Sequence, residues 1–101
     1  MDRENAAREK EPEPVCKCAV YFGRVQGVGF RYTAQQLAEE FAVNGYVRNL
    51  PEGTVEIVAE GSASQVDGFL TAIERRMEDY VTKAAVQDAP LAGYKGFRIR
   101  Y

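Results

Sequence analysis

Residues 16–41, CKCAVYFGRVQGVGFRYTAQQLAEEF, change their period partway along. Cys16, Cys18, Val20 and Phe22 alternate with Lys17, Ala19 and Tyr21, the two-residue period of a half-buried strand. From Phe30 onward, Phe30, Ala34, Leu37, Ala38 and Phe41 share one face at helical spacing, with Gln35, Gln36, Glu39 and Glu40 outside it. Gly23, Gly27 and Gly29 lie between the two patterns. A strand that turns through glycines directly into a helix is the first part of a βαβ unit.

Working outward, Asn44-Gly45 reads as the helix stop, because both residues tolerate the left-handed conformation. A second strand is predicted at about 45–50. A third runs through Val55, Ile57 and Ala59, and Leu50-Pro51-Glu52-Gly53 turns the two into a hairpin. Ser62-x-x-Gln65 has the pattern of a capping box and opens a second helix with Val66, Phe69, Leu70, Ile73 and Met77 as its buried stripe. Gly68 within that helix is a weakness of about 1 kcal/mol relative to alanine. A fourth strand at 81–88 is faint by pattern, while Phe97, Ile99 and Tyr101 alternate with Arg98 and Arg100 in a short final strand. The predicted fold class is α+β, a ferredoxin-like split βαβ sandwich. Its order is β-α-β-β-α-β plus a short terminal strand, with two helices on one face of an antiparallel sheet. That fold hosts many unrelated activities, so function has to be argued from the site.

Composition narrows the chemistry. The chain has 101 residues, two cysteines and no histidine. Without histidine there is no Ser-His-Asp or Cys-His nucleophile pair and no histidine-ligated zinc site; no metal and no cofactor is expected. Residues 1–14, MDRENAAREKEPEP, hold five acids and three bases, whereas residues 15–101 hold ten of each. We therefore expect a disordered charged leader over 1–14 and one folded, electroneutral domain over 15–101. A neutral domain argues against nucleic acid as a partner. No stretch approaches the roughly 20 apolar residues that cross a bilayer, so no membrane partner is expected, and a cytoplasmic monomer is the simplest reading. Cys16 and Cys18 lie two apart on one strand face, with Cβ atoms about 6–7 Å apart by strand rise. That is too far for a disulfide, so both are expected as reduced packing thiols.

The loop between the first strand and the first helix carries the chemistry. A glycine-rich turn at a helix N-terminus points successive backbone N–H groups into one concavity and adds the positive end of the helix dipole. Arg31 falls in the helix's first turn, where it can fold back and supply a bidentate donor. Such a site fits a phosphoryl group or another tetrahedral oxyanion. The loop has no Gly-Lys-Ser or Gly-Lys-Thr, and Gly23-x-x-x-Gly27-x-Gly29 is not the dinucleotide-binding Gly-x-Gly-x-x-Gly. From spacing alone it is either an anion cradle or a tight structural turn.

Gly23-Arg24-Val25-Gln26-Gly27-Val28-Gly29-Phe30-Arg31 resembles the signature loop of the acylphosphatase family. Gly45-Tyr46-Val47-Arg48-Asn49 followed by Gly53-Thr54-Val55-Glu56 resembles the family's second signature, at fitting distance, and the Phe-Arg-Ile-Arg-Tyr ending at 97–101 fits as well. The resemblance spans about residues 16–101. It implies metal-independent hydrolysis of the carboxyl–phosphate anhydride of small acyl phosphates, giving a carboxylate and inorganic phosphate. It assigns Arg31 as the phosphate-binding arginine and the backbone amides of Gly27, Val28, Gly29, Phe30 and Arg31 as the cradle. Asn49 becomes the residue that positions the attacking water. Tyr46 stands where the family often has tryptophan, a change in packing rather than chemistry.

Other readings of the same residues are weaker. Cys18 and Arg24 also make Cys-x5-Arg, the pattern of phosphocysteine enzymes, but the intervening residues read as strand and hold the thiol away from the loop. A phosphate- or carbamoyl-phosphate-binding module would use the same cradle without turnover. An RNA-binding module of the same element order needs stacked aromatics on its third strand, where this chain has Thr54-Val55-Glu56-Ile57-Val58-Ala59-Glu60. Arg48 is expected on the opposite strand face from Asn49, with Arg24 solvated or structural and Lys95, Arg98 and Arg100 on a polar sheet face.

Overall fold

The computed structural model describes residues 13–101. Its elements are β1 (Pro14–Gly23), α1 (Phe30–Ala38), β2 (Val43–Asn49), β3 (Val55–Ser62), α2 (Ala63–Arg76), β4 (Val81–Asp88) and β5 (Phe97–Arg100). Most of the leader expected over 1–14 lies outside the described residues. Its last residue, Pro14, already pairs with Ser62 as the start of β1.

The sheet order is β4-β1-β3-β2-β5. The first four of these strands pair antiparallel, as expected. The terminal strand departs from the all-antiparallel expectation, because β5 runs parallel to β2, with Val47 opposite Ile99. The cause is topological. Residues 89–96 carry the chain from the β4 edge across the back of the sheet, where Ala89 and Tyr94 pack against Cys16, Tyr46 and Val58. A single reversal after β4 leaves β5 antiparallel to β4 and hence parallel to β2.

Both helices cover the front. Ala19, Tyr21, Val47 and Ile57 from the sheet are fully buried there against Phe30, Ala34, Val66, Phe69 and Ile73. In β1 the helix-facing set is thus Ala19 and Tyr21. Cys16, Cys18, Val20 and Phe22 face the back. Both sets carry apolar residues, so alternation alone does not say which one meets the helices.

The back is held by a carboxylate. Glu60, 6% exposed, accepts hydrogen bonds from the backbone N–H groups of Ala92 (2.7 Å), Tyr94 (2.9 Å) and Gly93 (3.3 Å). Burial alone would raise its pKa, but the three donors outweigh burial and hold the carboxyl below its ordinary value.

Two local expectations change. Asn44-Gly45 does not stop the helix: α1 ends at Ala38, and both residues belong to β2. Gly45 has φ 145°, and a Cβ there would overlap the carbonyl oxygen of Val58 on the neighbouring strand. The glycine serves close approach of two strands. The capping box at α2 is half formed. Ser62 Oγ accepts from the Gln65 N–H at 3.4 Å, but Gln65 Oε1 accepts from the Ala42 N–H at 2.9 Å, tying α2 to the turn after α1.

Candidate active site

The β1–β4 register shifts between Phe22 and Gly23, and the Arg24 N–H donates to the Tyr80 carbonyl at 3.0 Å. From there the loop is anchored by Val25, which is fully buried, while Val28 packs partly buried against the core. Gly29 is the N-cap of α1 at φ 80° and ψ 19°, a left-handed conformation that glycine reaches without strain. A glycine cap has no side chain to offer, and the first turn of α1 contains no acidic residue. Consequently no acceptor among the described residues takes the N–H groups of Gly27 to Arg31. Unpaired amides at the positive end of a helix dipole form a site for an anion.

These amides border a cleft of about 250 Å³ lined by Val25, Gly27, Gly29, Phe30, Arg31, Tyr32, Asn49, Ile99 and Tyr101. The structure brings Arg31, Asn49 and most of the expected cradle to one cavity. Val28 is the exception among the walls, since its side chain turns to the core. The half-buried Arg31 places its guanidinium carbon 5.0 Å from the centroid of the Tyr101 ring. Asn49 ends β2 opposite Val55 on the helix-facing side. Arg48 faces the back as expected, where its Nε donates to Glu56 Oε1 at 2.7 Å.

Cys18 also faces the back, with Sγ 3.5 Å from Glu56 Oε2. Burial, and then the Glu56 charge, push its pKa up to about 11. A thiol held protonated on the far side of the sheet does not fit the phosphocysteine reading. Cys16 and Cys18 are both free.

Three features of the site escaped the sequence reading. Tyr32 and the Ile99–Tyr101 ending serve as cleft walls, although they read only as a helix position and a strand end. The third is Gln26. Its side-chain amide donates to the carbonyls of Leu50 at 2.8 Å and Thr54 at 2.9 Å. Nothing local in the sequence marks partners so far along the chain.

The family model for acylphosphatases matches residues 17–99. The chain is 45% identical over 80 residues to acylphosphatase from Methanospirillum hungatei, covering 77% of this chain and 88% of that protein. Among solved structures, acylphosphatase from Bacillus subtilis superposes with a TM-score of 0.78 at 34% identity, covering 86% of this chain and 99% of that one. An acylphosphatase from Coxiella burnetii gives a TM-score of 0.72 at 29% identity, covering 91% and 96%. A match that takes in the glycine loop, the Asn49 strand and the terminal strand together places this chain in the acylphosphatase family of hydrolases.

Proposed function

We propose that this chain hydrolyses the carboxyl–phosphate anhydride of small acyl phosphates without a metal, using the cleft between the 23–29 loop, Asn49 and β5. The observation that carries the reading is the set of unpaired backbone N–H groups from Gly27 to Arg31 in a cleft shared with Arg31 and Asn49.

In this mechanism the phosphoryl oxygens enter the cradle and the Arg31 guanidinium takes a further pair of them. The Asn49 side-chain amide holds a water in line with the bond to the acyl group. The water oxygen bonds to phosphorus, the bond from phosphorus to the acyl oxygen breaks, and that oxygen leaves with its electron pair as a carboxylate. The water proton passes to a phosphate oxygen. A carboxylate is a good leaving group, so no general acid or Lewis acid is required. What remains is positioning and charge stabilisation, which amides and an arginine supply.

Benzoyl phosphate hydrolysis in EDTA by wild type, Arg31→Ala and Asn49→Ala tests this. The wild type should turn over. Removing a single oxyanion donor costs about 10²–10³ in rate, and Arg31→Ala should cost at least that with the fold intact by circular dichroism. Asn49→Ala should lower kcat while leaving inhibition by inorganic phosphate nearly unchanged. A wild type that binds phosphate but does not turn over would leave a binding module.

A further inference from the structure

We infer that Gln26 is a positioning residue that locks the two halves of the cleft, the amide cradle and Asn49, into one register. This rests on the proposed hydrolysis. The 23–29 loop and the β2–β3 turn are separate in sequence, and each carries a different part of the chemistry. The loop supplies the cradle, and the turn follows directly from Asn49. The Gln26 side chain bridges them with both of its N–H donors, one to the carbonyl of Leu50 at 2.8 Å and one to that of Thr54 at 2.9 Å.

Those acceptors are the two ends of the turn. The Leu50 N–H donates to the Thr54 carbonyl at 2.9 Å, and the Gly53 N–H donates to the Leu50 carbonyl at 3.1 Å. The amide therefore grips a turn that is already closed on itself. Leu50 is bonded to Asn49, so a shift of Gln26 relative to the turn moves Asn49 relative to the cradle. Gln26 is flanked by the fully buried Val25 and by Gly27, the first cradle amide. Its backbone is thus fixed to the loop while its side chain is fixed to the turn. No other side-chain hydrogen bond among the described residues joins the 23–29 loop to the Leu50–Thr54 turn. Gln26 does not line the cleft, so it acts through Asn49 rather than on substrate.

The test is a double-mutant cycle of Gln26→Met, close in volume but without donors, with Asn49→Ala, read as kcat and as inhibition by inorganic phosphate. Misplacing a catalytic group by about 1 Å can cost 10²-fold; Q26M should lower kcat about 10- to 100-fold and change phosphate inhibition less than about threefold. In the N49A background the same substitution should cost less than about threefold, because the group it positions is gone. An equal loss in both backgrounds, or no loss in kcat, would overturn the proposal. Q26L, smaller, uncharged and likewise without donors, serves if Q26M does not fold.

A second readout does not pass through turnover. In wild type, titrated phosphate should shift the backbone amide NMR signals of both 27–31 and 49–54. In Q26M the first set should still shift and the second should not. If both sets shift as in wild type, the tether does not couple the halves. If the wild type lacks hydrolysis but shows this NMR difference, the coupling stands and the hydrolytic reading falls alone.

Discussion

The phenolic oxygen of Tyr21 is buried in the core without a hydrogen-bond partner among the described residues. Burial, and then the Glu74 carboxylate as a nearby charge and candidate acceptor, raise its pKa, so it stays neutral at any ordinary pH, although the hydroxyl and that carboxylate do not meet in hydrogen-bond geometry. An unsatisfied buried hydroxyl costs about 1–3 kcal/mol. The ring itself packs tilted on Phe30 with centroids 5.4 Å apart, and that contact needs no hydroxyl. Tyr21→Phe should therefore raise stability by about 1 kcal/mol, measured by urea denaturation. Residue by residue, Arg31 and Asn49 were legible because they fall in motifs with a recognisable spacing. Gln26 was visible inside the same motif but carried no role, since its partners lie across the molecule. The buried face of β1 was also ambiguous: Cys16, Val20 and Phe22 are as apolar as Ala19 and Tyr21, and only the docking of the helices separates them.

At the scale of the element, α2 holds a glycine where helix propensity disfavours one. A Cβ on Gly68 would sit 2.8 Å from Phe41 Cε1 and 3.4 Å from Phe41 Cδ1. The Phe41 ring in turn lies 6.1 Å from that of Phe69, which is fully buried. Alanine would gain about 1 kcal/mol of propensity but force the ring outward, and overpacking costs about 1–3 kcal/mol. Gly68→Ala should thus lower stability by about 1 kcal/mol, and the thermal midpoint would show it. The expected weakness of the helix is instead a socket for Phe41. Both helices and β1 to β3 were readable from period and turn chemistry because each has a buried face. By contrast β4, exposed along its length after the half-buried Val81, was faint for that reason, and β5 showed only half-buried Phe97 and Ile99 alternating with exposed arginines. Gly45 misled because a glycine that ends a helix and one that lets two strands touch look the same in one dimension.

At the scale of the whole molecule, the two sheet edges are joined by a segment pinned to Glu60. The ordinary glutamate pKa is about 4.3, and the folded value lies below it. The unfolded chain therefore takes up the proton first. Stability from this carboxylate is complete above about pH 4.3 and is lost as pH falls through the depressed folded value. Glu60→Gln should cost about 2 kcal/mol at pH 7, since bonds to a charged acceptor are the stronger kind. The gap between wild type and variant, followed by urea denaturation, should narrow as pH falls below about 4.3. None of this was readable beforehand. Glu60 read as an acid on a strand that excludes RNA stacking, because its donors belong to a stretch without secondary-structure period.

The place of β1 in the sheet has a consequence in time. It lies between β3 and β4, and both are made after it. At about 5–20 residues per second, the chain from Gly23 to Asp88 takes roughly 3–13 s to synthesise. Through that interval Val20 and Phe22 stand on a strand whose second neighbour does not yet exist. Early collapse therefore rests on α1 and the β2–β3 hairpin, whose contacts are local, while β1 waits for β3 on one side and for the later β4 edge on the other.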